Sequence, residues 1–307
     1  MLEEKGGKVL LIFFIFVLPP GSGCYNTSTM NRLRQVLDIY YREYDFPGRL
    51  LSDPIAIPHR YSDARDIEVA GFIASSLAYG KVDLFLPVAG RILSLMGQSP
   101  YQFLIGFSVA KHRRLFSGIK YRFNQNDDII ALLFLLHEIL STHSSLERLF
   151  RQHYRKEDES IEQGLSGLMA AFLQADTTKV YGTNRKPPGL LQFFPIPEKG
   201  SACKRANLFL RWMVRDRDID FGIWKEVPKN RLVIPLDTHI ARIAACLGFT
   251  QRRTQDWKMA VEITQALKRL DADDPLKYDF ALCHHGIAGL CAKGKAAGCK
   301  SCVFRAK

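Results

Sequence analysis

The chain has 307 residues, 47% of them apolar, and a formal net charge of +12 from 43 Lys and Arg against 31 Asp and Glu. That length and apolar content suit one large domain or two lobes with a sizeable core. The excess positive charge points to an anionic partner, of which nucleic acid is the commonest. Seven cysteines, an odd number, argue against a disulfide framework, and nothing after residue 29 is long and apolar enough to span a bilayer.

The N-terminal stretch "KVLLIFFIFVLPPGSGC" carries a lysine and a ten-residue apolar run. It reads either as a signal-like core, with Cys24 as a loose lipidation candidate, or as an extension ahead of a functional chain that starts at Met30. The second reading is preferred, because "MNRLRQVLDIYYREY" opens an amphipathic helix at once. "RYSDARD" (60–66) is expected to cap the helix after it. Residues 65–96 read as two helices broken near Gly80. Between 101 and 126 stand Lys111, Arg113, Arg114, Lys120 and Arg122 with no acid among them, a DNA-backbone face or a solvated flank.

Helices are then expected over 126–142, with Asn126 or Asp127 as cap, and over 160–174. The segment 176–199 has four prolines and two glycines and is expected to be a loop. A helix over 201–215, an irregular stretch over 216–233, and helices over 237–248, 254–270 and 274–291 complete the chain. Without strand-like alternation or internal repeats, the expected fold is all-α.

Two stretches carry candidate chemistry. In "KGSACKRANLFLRWMVR", glycine precedes a helix whose unpaired N–H groups suit a phosphate; an ordinary loop into a helix explains the same residues. Lys199, Gly200, Ser201, Ala202 and Arg205 are the candidate DNA contacts. Lys204 stands at the positive end of the helix dipole, where a cation is least welcome. In "IPLDTHIARIAACLGF", Asp237 reads as a helix cap, and Thr238 could serve instead.

Taken together, these stretches resemble the helix-hairpin-helix DNA glycosylases of the endonuclease III superfamily. Lys204-Arg205-Ala206-Asn207 resembles that family's lysine followed by Thr-Ala-Asn. Leu236-Asp237-Thr238-His239 resembles its "VDTH" segment, and "CLGF" and "SGIKYRFNQNDDIIALLFLL" also fit. More closely, "DPIAIPHRYSDARDIEVAGFIASSLAYGKVDLF" and "KRANLFLRWMVR" resemble the domain-of-unknown-function 2400 family, nearly throughout from Met30.

The resemblance implies an all-α, two-lobed helix-hairpin-helix glycosylase-like fold with a central cleft. Residues 1–29 would be an extension and 30–59 an N-terminal helical segment on the C-terminal lobe. Residues 60–200 would form one lobe and 201–307 the other. It implies a DNA N-glycosylase of base-excision repair, located in the cytoplasm unless residues 1–29 direct export. Lys204 would attack C1′ to form a Schiff base, an amine activated by an uncomfortable site. Asp237 would stabilise the cationic sugar or assist proton transfer. A non-catalytic nucleic-acid-binding protein with the same fold is the alternative.

Three departures matter. Ala202 stands where the hairpin's second glycine belongs, and alanine resists a left-handed backbone. Arg205 replaces threonine. Lys204 and Asp237 lie 33 residues apart, and the excess, 216–233, would either remodel the pocket or keep the two residues apart.

Cys291, Cys299 and Cys302 give C-x7-C-x2-C, with Cys283 eight residues upstream and His284 and His285 as other donors. Endonuclease III-like enzymes place a four-cysteine iron–sulfur cluster there, and the resemblance implies one here. A [4Fe–4S] cluster, zinc, or free thiols with no cofactor all remain open. Cys203 and Cys246 read as packing residues. Trp212, Trp224 and Trp257 would either stack on a flipped base or sit in the core.

Overall fold

The structure is a computed structural model that describes residues 27–291 and 302–304. Every regular element among the described residues is helical; the single β-bridge joins Tyr121 and Asn124 across a tight turn. The helices of eight residues or more are α1 (Thr27–Arg42), α2 (Ala64–Leu77), α3 (Val82–Leu95), α4 (Asn126–His143), α5 (Leu146–His153) and α6 (Glu162–Gln174). They continue with α7 (Lys204–Val214), α8 (Thr238–Cys246), α9 (Trp257–Lys268) and α10 (Asp279–Ile287). The apolar run 9–18 and Cys24 lie outside the described residues, as does Cys299. No single helix among the described residues is long and apolar enough to cross a membrane.

Helix α2 is the centre. Asp63 caps it, accepting from the Arg65 N–H at 2.9 Å, as the motif at 60–66 suggests. From Asp66 to Leu77 every residue is buried, the signature of a helix surrounded on all sides. Its two buried carboxylates are paired inward. Asp66 accepts from Ser99 Oγ and the Tyr101 N–H. Glu68 accepts from the Leu146 and Glu147 N–H groups at the start of α5 and from Trp224 Nε1 at 2.8 Å. Burial pushes the Glu68 carboxyl up to about 7.

Helix α7 lies across α2. Gly71 makes this possible, because a Cβ there would meet Met213 Cε at 3.0 Å. Phe209 meets Phe72 edge-on at 5.3 Å, and Trp212 is fully buried. The apolar core is one continuous cluster from Leu33 to Phe304. Helix α1 bonds the C-terminal segment: Asp38 accepts from Lys277 Nζ and Tyr278 Oη, each at 2.7 Å.

Local details differ from expectation. The α4 cap falls at Gln125, whose N–H donates to Asp128, and Asn126 instead donates to the Phe116 and Ile119 carbonyls. The loop 176–199 contains single helical turns at Thr178–Tyr181 and Pro188–Leu191. All three tryptophans are core residues, so none is presented for stacking on a flipped base.

The stretch 216–233 is not a pocket element. It turns back under the C-terminal end of α7, where Phe221 N–H donates to the Trp212 carbonyl and Trp224 N–H to that of Met213. Asp220 is drawn between Arg211 and Arg215. That end lies about 12 Å along the axis from Lys204. The extra residues therefore close the far end of the helix and leave Lys204 and Asp237 free to meet.

Candidate functional site: a lysine and an aspartate at two helix starts

The backbone enters α7 through two left-handed residues. Gly200 has φ +80°, open space around its Cα, and needs no side chain. The second is Cys203, at φ 49°; Ala202 is not in that region. The expected difficulty at Ala202 is thus displaced by one residue. A non-glycine left-handed residue costs roughly 1–2 kcal/mol. Cys203 has local support: its N–H bonds Ser201 Oγ at 3.2 Å, and its thiol donates to the Ser201 and Pro195 carbonyls. Burial pushes that thiol up to about 12, so it stays a packed donor.

No side chain caps α7, so its first-turn N–H groups beside Lys204 have no side-chain acceptor. Lys199 and Gly200 are exposed, while Ser201 and Ala202 are half-buried. Arg205 is used differently from the expectation. Its guanidinium bonds the carbonyls of Ser76, at 2.6 Å, and Gln192, and lies 5.1 Å from the Tyr79 ring. Burial lowers its pKa to about 10. It ties α7 to the end of α2 and to the preceding loop.

Asp237 begins α8. Its Oδ1 accepts from the His239 and Ile240 N–H groups, both at 2.9 Å, so it is the cap that the residue pattern suggests. Capping uses one oxygen only. The other, Oδ2, faces Lys204 Nζ at 3.3 Å. Both line a cavity of about 580 Å³ whose walls include Tyr79, Gly80, Ser201, His239 and Gln255. That volume is ordinary for a small-molecule or nucleotide-sized guest.

Sequence reasoning passed over Tyr79 and Phe123 here and gave Cys283 a different role. Tyr79 forms a wall, and Phe123 lies parallel to it, 66% exposed, beneath Arg122. Gly80 admits this arrangement, since a Cβ would sit 2.5 Å from Arg122 Nη1. Cys283, a metal-ligand candidate on the sequence, has its Sγ 3.6 Å from Asp237 Oδ2. Its spacing of four from Asp279 on one helix face was the available signal. Behind it, Asp279 holds Arg211 Nη1 at 2.6 Å, and His284 Nε2 meets Asp53 Oδ2 at 3.1 Å.

The sulfur of Cys283 donates to the Asp237 carboxylate, while Cys299 of the expected ligand set lies outside the described residues. Burial, with Asp237 and Asp279 nearby, holds the Cys283 thiol well above the usual thiol range. Cys291 is buried and Cys302 half-buried. Among the described residues, no group of three or more His, Cys, Asp or Glu could hold a metal ion.

Of the basic residues in 101–126, Lys111, Arg114, Lys120 and Arg122 are exposed. Arg113 is tied to Asp127 and the Val180 carbonyl.

Residues 53–288 match the family model described as "Protein of unknown function (DUF2400)", and the chain belongs to that family. No curated protein and no solved structure matches it. The match spans both helix starts, the central α2 and the 216–233 stretch that closes α7.

Proposed function

We propose that this protein is a DNA N-glycosylase of base-excision repair that cleaves abasic sites through a Lys204 Schiff base. One observation carries the reading. An amine and a carboxylate oxygen, 33 residues apart in the chain, meet at 3.3 Å in a single cavity beside an uncapped helix start. The two-lobed helix-hairpin-helix cleft and the DNA partner belong to the same proposal. Support comes from the +12 charge and from exposed Lys199, Lys111, Arg114, Lys120 and Arg122.

The chemistry is as follows. Lys204 passes a proton to Asp237 Oδ2 and attacks C1′ of a nucleotide turned out of the stack. The glycosidic bond breaks, and the base leaves with the bonding electron pair and takes the proton held by Asp237. Asp237, once ionised again, faces the cationic sugar. Proton transfer from the new amine to O4′ opens the ring and leaves a protonated imine, and loss of a C2′ proton to the Asp237 carboxylate then expels the 3′-phosphate and cuts the strand. Uncapped amides at Arg205 and Ala206 would receive the neighbouring phosphate. No step runs through a metal or cluster.

Borohydride reduces such an imine to a stable amine. Incubating the protein with abasic or base-damaged duplexes and borohydride should give a covalent complex, and Lys204→Ala should abolish it. No complex across a panel of lesions, with salt-sensitive DNA binding indifferent to Lys204→Ala and Asp237→Asn, would instead support a binding protein without catalysis.

A further inference from the structure

We infer that Cys283 is a positioning residue for Asp237: its S–H donates to Asp237 Oδ2 and fixes the carboxylate that meets Lys204. The catalytic part rests on the reading just given; the contact itself does not.

The geometry singles out that oxygen. Asp237 Oδ1 is held by two backbone N–H groups and cannot turn away without uncapping α8. Oδ2 has two side-chain neighbours, Lys204 Nζ at 3.3 Å and Cys283 Sγ at 3.6 Å. Cys283 reaches it because α10 lies unusually close to the start of α8. Gly286 permits this approach, since a Cβ there would stand 2.6 Å from His239 Cβ.

A thiol is a weak donor. It orients Oδ2 while leaving the oxygen able to take a proton, which a stronger donor would oppose. The charged and titratable groups around the sulfur are Asp237, Asp279, Asp53, Lys204 and Tyr44. The three carboxylates favour the S–H form, and Lys204 opposes them. The donor therefore keeps its proton at neutral pH.

The test reads the sulfur directly. Peptide-resolved alkylation of the full chain by iodoacetamide at pH 8 follows Cys283 thiolate. Asp237→Asn keeps a capping side chain but removes a facing negative charge, and should speed alkylation about tenfold. Lys204→Met removes the opposing positive charge and should slow it. A pocket merely loosened by substitution would speed both. Equal rates in all three proteins, or acceleration in both variants, overturn the contact.

The catalytic consequence has its own readout. Cys283→Ala should lower the rate of borohydride trapping about 3- to 10-fold. Cys283→Ser should recover that rate near neutral pH while moving the acid limb of its pH profile to lower pH. Unchanged trapping in Cys283→Ala overturns the positioning role. Absence of any trapped complex in the wild-type protein overturns the lyase reading alone, because alkylation still decides the contact.

Discussion

The two ends of α7 use the same chemistry for opposite ends. At the C-terminal end, Arg211 and Arg215 meet Asp220, Asp274 and Asp279 at 2.6–3.2 Å, with the arginine side chains 3% exposed. At the N-terminal end, Lys204 meets Asp237 at 3.3 Å with its side chain 39% exposed and a cavity beside it. Buried pairs are costly to disturb and have nothing further to bind. A half-open pair holds little stability and keeps an amine and an oxygen reachable. The contrast separates scaffold from site along one eleven-residue helix.

The sharpest way to break the contrast is at the closed end. Arg211→Leu leaves Asp279 buried without its cation and Asp220 with Arg215 alone, and should cost about 3–5 kcal/mol. Urea unfolding followed by circular dichroism would measure it. A loss below about 1 kcal/mol, the range of exposed pairs, would mean that the buried network is not the scaffold and the two ends do not differ.

Glu68 probes the same end through Trp224. Its folded-state carboxyl sits at about 7, against an ordinary value of 4.5. The folded chain therefore holds this proton to a higher pH than the unfolded chain does. The stability it contributes is full below about 4.5 and is lost as the pH rises through about 7, a change of order 3 kcal/mol. Glu68→Gln does not titrate, so the drop in unfolding free energy between pH 5 and pH 8 should shrink. It should also be less stable at pH 5, since an amide cannot accept from all three donors. An identical pH slope in both proteins would remove Glu68 from the account.

Most of the helices were legible in the sequence, because their apolar spacing and caps are local signals. Asp63 and Asp237 cap as their positions suggest. What escaped was long-range. Nothing local says that Asp220 is needed by two arginines on the preceding helix, so 216–233 read as an intrusion when it is a closure. Arg205 read as a DNA contact because its partners, the carbonyls of Ser76 and Gln192, are brought to it only by the packing of α7 on α2. Cys283 read as a ligand because spacing groups it with later cysteines, and its contact with Asp237 comes only from the α8–α10 approach. Lys204 and Asp237 were legible as a pair only through resemblance.

The smallest expected stability change belongs to the open end. Lys204→Met removes one partner of a half-exposed pair, and such pairs are worth about 0–1 kcal/mol. The long apolar side chain of Met keeps the stem packing against the cavity wall. Asp237 retains its two backbone donors, so α8 stays capped. The unfolding midpoint in urea should therefore move little, while borohydride trapping is lost entirely. A residue that matters greatly to reactivity and hardly to folding is the mark of a site. A destabilisation as large as that of Arg211→Leu would place Lys204 with the scaffold and erase the distinction between the two ends of the helix.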